Sequence, residues 1–270
     1  MPDIRVAYIN LRSRPGRRDA FLANNRRELD ASALPWRRVD GVDGGELAAS
    51  TAEELAARGI IAREGLVEGY EPHTWGHLGC ALSHRSLWEE AARSEIDDDV
   101  LVILEDDGQV CPRFGARLRR VLELATHRQP WDVVHLGFNT DAPLTIQLDS
   151  PRLEVRLICQ NAGRPIGLGV PFAVSWADDA PDRELLLARV LDIHGICGYA
   201  VSARGARRLL EACFPMSATS IDGTISRKAR EGVLKTLIAI PPLVLSANDH
   251  TASDTVSSSS SRYNEAVRRP

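Results

Sequence analysis

The stretch DVLVILEDDG, Asp99 to Gly108, sets five apolar residues in a row, Val100 to Leu104, against three consecutive carboxylates. The apolar run is the length of a buried strand and is bounded by charge on both sides. In a parallel α/β sheet the C-terminal ends of strands open onto the crevice where ligands bind. Glu105, Asp106 and Asp107 stand at such an end. Two readings compete. Adjacent carboxylates repel one another, an arrangement most easily kept where a divalent cation or ligand hydroxyls offset the repulsion. The other reading is a solvated acidic turn that caps a helix beginning near Pro112. Asp97 to Asp99, and later Asp178 and Asp179, read as solvated loop charges.

Outward from this junction, strand and helix patterns alternate. IRVAYINL reads as a strand and is followed by a Ser-Pro-Gly turn and a helix, RRDAFLANNRREL. WRRVDGVDGG is a second strand ending in turns, and STAEELAARGI is a helix capped by Ser50 or Thr51. GCALSHRSLWEEAARS is an amphipathic helix with Leu82, Leu87, Trp88 and Ala91 near one face. After DVLVIL come a helix, PRFGARLRRVLELATHR, and a strand, DVVHLGF. Residues 139 to 190 carry many breakers and are expected to form a long functional loop region, with room for a hairpin. ICGYAVS and ARGARRLLEACF restore the strand and helix pattern, LIAIPPLVL is a last short strand, and a polar tail with a five-serine run follows. The expectation is an α/β fold with a mainly parallel central sheet flanked by helices, as one domain over residues 1–250 and a flexible tail over 251–270.

Composition narrows the function. The 270 residues are 44% hydrophobic and 26% charged, with a formal net charge of −4. A mildly acidic chain is a poor general nucleic-acid binder, because displacing counterions from phosphates takes a basic surface. The five cysteines, Cys80, Cys111, Cys159, Cys197 and Cys213, contain no C-x-x-C pair, and reduced thiols in a cytoplasmic protein are expected. The first residues lack the apolar region of a signal peptide. The longest apolar run, LIAIPPLVL, falls far short of the roughly 20 residues a membrane helix needs. Lys228, Arg230 and Lys235 leave a peripheral contact with the inner membrane open, against plain solvation.

Arg14, Arg17 and Arg18 follow the first strand at the start of a helix, where the helix dipole disfavours cations and favours phosphate. A bound diphosphate would remove that conflict, and guanidinium planes match its oxygens. A plain basic surface is the alternative. Taken with the carboxylates, the arrangement suggests a nucleoside diphosphate held by arginines on one side and a cation on the other.

The ordered segments INLRSRPGRR (Ile9 to Arg18), RVDG (Arg38 to Gly41), GHLGCALSH (Gly76 to His84), VILEDD (Val102 to Asp107), GYAVSARGARRLL (Gly198 to Leu210) and SIDG (Ser220 to Gly223) resemble glycosyltransferase family 25. The resemblance implies a GT-A-like nucleotide-binding fold and inverting transfer of a hexose, by default galactose, from a UDP-sugar, with Mn²⁺ or Mg²⁺. The acceptor would be a hydroxyl of a glycan, small metabolite or peptide. It further implies that Asp107 ligates the metal, while Glu105 or Asp106 reaches the ribose or a metal-bound water. Asn10, Arg14, Arg17 and Arg18 would lie by the nucleotide, Asp40 and Gly41 near the uracil, and Ser83 and His84 on a helix facing the donor. A buried, hydrogen-bonded helix histidine is the other reading of His84. The family often has a glutamine where this chain has LSAND, which puts the acceptor side in question.

Inversion needs a base for the acceptor hydroxyl. Asp222 is the candidate, with a helix N-cap as its alternative, and Asp192 and His194 follow. His250 reads as an exposed tail residue. Gly76 and Pro72 argue against a regular helix across His73 and His77, so no zinc is expected from their spacing. A non-catalytic nucleotide-sugar or glycan-binding protein on the same fold is the competing function. A nucleotidyltransferase lacks its usual Gly-rich, Lys-containing loop here. No G-x-S-x-G, G-x-x-x-x-G-K-[ST] or G-x-G-x-x-G motif is placed for chemistry.

Overall fold

The structure is a computed structural model that describes residues 2–62, 75–128, 130–137, 143–147, 152–158, 166–168, 172–174, 185–193, 195–216 and 220–246. In chain order the elements are β1 (Ile4–Asn10), α1 (Pro15–Ala31), β2 (Trp36–Asp40), a 3-10 turn (Gly44–Leu47), α2 (Ala52–Ala57), α3 (Trp75–Ala91), β3 (Val100–Glu105), β4 (Gly108–Val110), α4 (Phe114–Arg128) and β5 (Val133–Gly137). Then follow β6 (Pro143–Gln147), β7 (Arg152–Ile158), β8 (Ile166–Leu168), β9 (Phe172–Val174), β10 (Leu186–Asp192), β11 (Gly198–Ser202), α5 (Ala203–Cys213), α6 (Ile221–Arg230), β12 (Thr236–Ile240) and β13 (Val244–Ser246).

The main sheet has the order β2-β1-β3-β11-β5-β12-β10-β6-β7-β8-β9. Its central body, from β2 to β12, is parallel except for β11, which runs against both β3 and β5. Beyond β12 the strands alternate in direction. The β3 run decides the layering. Val100, Val102 and Leu104 enter one apolar cluster with Tyr8, Phe21, Phe114 and Leu118, whereas Leu101 and Ile103 enter the other with Leu87, Trp88 and Tyr199. A strand covered on both faces needs an unbroken apolar run. Burying each such side chain contributes about 1.5–3 kcal/mol.

The region over 139–190 contains the hairpin allowed for it, but its reading as mainly loop is corrected. Within it β6 and β7 form an antiparallel hairpin, β8 and β9 extend it, and β10 is an internal strand between β12 and β6. Period-two alternation was present in RLEVRLI, where Leu153, Val155 and Leu157 alternate with charged residues. LIAIPPLVL is also corrected, into two strands. A cis Ile240–Pro241 bond follows β12, and β13 leaves the main sheet to pair with β4. The capping of α2 is as expected: Thr51 and Glu54 form a reciprocal capping box. Among the solvated charges, Asp99 is an exception, since it accepts from Ser94 Oγ at 2.6 Å and from the Asp3 amide at 2.9 Å.

Helix α3 starts at Trp75, so Gly76 and His77 lie inside it, contrary to expectation. Glycine is used here for close approach. A Cβ on Gly79 would sit 2.6 Å from the Val42 carbonyl oxygen, and one on Gly44 would sit 1.9 Å from that of Trp75. Among the described residues no helix is long and apolar enough to cross a membrane. His73, His194, His250, Cys159, Asp178, Asp179 and the 251–270 tail lie outside the described residues.

Candidate active site at the carboxyl ends of β1, β2 and β3

Parallel pairing sets Asn10 opposite Asp40 and Ile9 opposite Glu105, so the ends of three strands meet at one edge. Asn10 is buried at the centre. Its Nδ2 donates to Asp106 Oδ2 at 2.8 Å and to the Arg14 carbonyl at 3.2 Å, and its Oδ1 accepts from Arg38 Nε at 3.0 Å. The Arg17 guanidinium lies against the other oxygen of Asp106, with Nε to Oδ1 at 2.8 Å. The basic start of α1 and the acidic end of β3 are therefore one charge-assisted cluster. Arg14 occupies the N-cap position of α1 with no side-chain cap. Arg18 is displaced from the others, paired with Asp19 on the exposed side.

Asp40 is exposed and paired with Arg12 and Arg38, and the Arg12 hydrogen bond holds its carboxyl below the usual range. Gly41 donates its amide to the Asn10 carbonyl at 3.0 Å, and a Cβ there would press on Leu11 and Ile9. Ser83 donates to the Gly79 carbonyl and accepts from the Val42 amide at 2.8 Å. It fastens the turn after β2 to α3.

His84 is fully buried, and its hydrogen bonds have a direction. Trp88 Nε1 donates to Tyr199 Oη at 2.7 Å, and that hydroxyl stands 2.9 Å from His84 Nδ1. His84 Nε2 is 3.1 Å from Glu105 Oε1. Since indole only donates and carboxylate only accepts, the set is satisfied with the Tyr199 hydroxyl donating to Nδ1 and Nε2–H donating to Glu105. His84 is thus a buried, hydrogen-bonded helix histidine whose Nε2 points to the Glu105 end of β3. Cys80, one turn earlier, approaches Glu105 Oε1 at 3.8 Å. Burial pushes its thiol up, and Glu105, Asp222 and Asp107 add to the shift, so all three carboxylates are within electrostatic reach of one thiol.

Asp107 is not the solvated capping residue of the alternative reading. Burial, and then the charge of Glu105, push its carboxyl up to about 7. Its Oδ2 accepts from Ser246 Oγ of β13 at 3.3 Å. The following helix starts only at Phe114, because β4 intervenes. Asn25 of α1, fully buried, donates to the Gly108 carbonyl and accepts from the Val110 amide, both at 2.8 Å. It serves as a neighbouring strand for β4 and so fixes the acidic turn. Asn25 and Ser246 escaped the sequence reading. Asn25 sits in a helix with no motif around it, and Ser246 becomes relevant only through β13 pairing.

Asp222 lies in the first turn of α6, whose cap is Ser220. Its Oδ2 accepts from the Gly195 amide at 2.8 Å, and its Oδ1 from the Gly223 amide at 2.9 Å. Burial lowers the His77 and His135 rings, and in both the Asp222 charge pulls the other way, so Asp222 lies within electrostatic reach of both rings. Asp192 is instead occupied by Arg230 at 2.6 Å, and Lys228 by Glu231 at 2.7 Å. Four cysteines, Cys80, Cys111, Cys197 and Cys213, carry free thiols.

Residues 4–148, just over half of the chain, match the model of glycosyltransferase family 25 (LPS biosynthesis protein). The chain is 34% identical over 135 residues to the "Probable inactive glycosyltransferase 25 family member 3" of Bos taurus, covering 49% of this chain and 21% of that protein. It is 34% identical over 135 residues to the "Inactive glycosyltransferase 25 family member 3" of Homo sapiens, with the same coverage of 49% and 21%. With the "Procollagen galactosyltransferase 1-B" of Xenopus laevis it shares 30% identity over 210 residues, 77% of this chain and 28% of that protein. The matches thus span about a fifth to just over a quarter of these relatives. The family model covers β1 through β6, the part of the chain that builds the Asn10, Arg17 and carboxylate cluster, and the chain belongs to glycosyltransferase family 25.

Proposed function

We propose that this chain is an inverting, metal-dependent glycosyltransferase of the GT-A type that moves a hexose, by default galactose, from a UDP-sugar to a hydroxyl of a glycan, metabolite or peptide. The observation that carries the proposal is Asp107, a half-buried carboxyl pushed up to about 7 beside Glu105 and Asp106 at the carboxyl end of β3. The GT-A reading is supported by the central body of the sheet, parallel apart from β11.

A divalent cation fits these residues. Asp107 offers a hard oxygen donor whose own ionisation is opposed by its surroundings, which suits Mn²⁺ or Mg²⁺. Asp106 is the less available carboxylate, because Arg17 and Asn10 occupy both of its oxygens. When bound, the ion would supply positive charge beside the departing diphosphate. Arg14 and the Arg17 edge would orient the phosphates, and Asp40 and Gly41 would flank the base. Asp222 would accept the proton of the acceptor hydroxyl as that oxygen attacks the anomeric carbon, with the Gly195 and Gly223 amides holding the carboxylate in place. Free thiols fit a reducing compartment such as the cytoplasm.

A second reading is a non-catalytic nucleotide-sugar binder, and the "inactive" names of two relatives favour it. Incubating the protein with UDP-galactose, Mn²⁺ and a panel of hydroxyl acceptors separates the two. Acceptor-dependent release of UDP supports transfer. UDP binding without release under any acceptor supports the binder.

A further inference from the structure

Cys80 and His84 are one helical turn apart on α3, so their side chains share a face. Glu105, at the end of β3, meets that face. The thiol sulfur, the His84 Nε2 and a Glu105 carboxylate oxygen all lie within 4.8 Å of one another. Two of the separations are resolved: Nε2 to Oε1 is 3.1 Å and Sγ to Oε1 is 3.8 Å. Tetrahedral zinc with ordinary bond lengths gives edges of about 3.3 Å for nitrogen to oxygen and about 3.6 Å for sulfur to oxygen. The observed distances match these to a few tenths of an ångström before any metal draws the donors in.

We propose that Cys80, His84 and Glu105 form a zinc site separate from the oxygen donors at Asp107, with a fourth position open toward the cleft. The donor set decides the metal: thiolate plus imidazole selects zinc over manganese or magnesium. Three protein ligands with an open position match zinc sites that accept an exogenous ligand. The second partner of His84 is in place, because Tyr199 Oη stands 2.9 Å from Nδ1 and is itself held by Trp88 Nε1, and zinc at Nε2 reverses the metal-free Tyr199–His84 hydrogen bond. With the metal on Nε2, the imidazole proton sits on Nδ1 and donates to Tyr199 Oη, whose two lone pairs then accept from His84 and Trp88. The thiol proton is released as sulfur takes the metal. Glu105, about a third exposed, opens the site to solvent, whereas His84 is 1% exposed.

The test is cobalt titration of the reduced, full-length protein, read by thiolate-to-cobalt charge-transfer absorption. This readout needs neither nucleotide nor transfer, so it is independent of the proposed activity. The expected result is a saturable band at about one cobalt per chain, displaced by zinc but not by excess manganese. The band should be lost in Cys80→Ser and kept in Asp107→Asn. Tyr199→Phe should retain the band but weaken zinc by about 10–100-fold. Circular dichroism of Cys80→Ser confirms that loss of the band is not loss of the fold. Absence of the band in the wild type, or its persistence in Cys80→Ser, would overturn the site.

Discussion

Arg17 on α1 and Asp106 at the end of β3 are joined through the guanidinium Nε and one carboxylate oxygen, 89 residues apart in sequence. Asn10 holds the other oxygen, so the carboxylate is satisfied from both sides. Asp106 is 10% exposed, and removing Arg17 would strand much of that charge. Arg17→Gln should therefore lower stability by about 1–3 kcal/mol, with Arg17→Lys intermediate, in urea unfolding at neutral pH. An unchanged midpoint would show that Asn10 alone suffices.

Asp107 should make the metal-free protein less stable as pH rises. Its folded pKa, about 7, lies above the ordinary 3.8, so the folded state holds the extra proton between these values. Stability falls through that window as pH increases. In chelator, Asp107→Asn should gain on the wild type between about pH 4 and 7, with no further change beyond. Mn²⁺ at pH 7.5 should stabilise the wild type and leave the variant unmoved. Parallel stability curves for the two proteins would contradict this.

His135 should act with the opposite sign. The ring is fully buried, neither nitrogen has a protein hydrogen-bond partner among the described residues, and burial lowers its pKa to about 4 from 6.5. The unfolded chain takes up the proton first, so stability is lost as pH falls from 6.5 toward 4. His135→Leu should be neutral or stabilising at pH 7 and should lack that loss, since apolar replacement removes unpaired polar atoms. A penalty above about 2 kcal/mol at pH 7 would mean that the ring is hydrogen-bonded after all.

Asp222→Asn should leave UDP binding near the wild-type value and lower transfer by about 10²–10⁴, the usual worth of a general base. Transfer assays with UDP-galactose read the effect. Retained transfer would remove Asp222 from the chemistry.

Much of the central sheet was legible because Val100 to Leu104 and its neighbours are local apolar runs, and because capping at Thr51 is written in a few adjacent residues. The carboxylates and arginines could be named from strand-end logic. Their partnership could not, since Arg17 reaches Asp106 only once β1 and β3 are side by side. Ser246 and Tyr199 were unreadable for the same reason: each acts through a contact more than 100 residues away. The β10 strand was hidden by a leucine-rich sequence with no strand period and by the Gly-Pro content before it.

The most direct measurement is calorimetric titration of UDP into wild-type protein and Asp107→Asn, with Mn²⁺ and then with chelator. The account predicts saturable binding by the wild type in Mn²⁺, lost in chelator and lost in a folded Asp107→Asn. Equal binding by Asp107→Asn, or no UDP binding by the wild type in either condition, would contradict it.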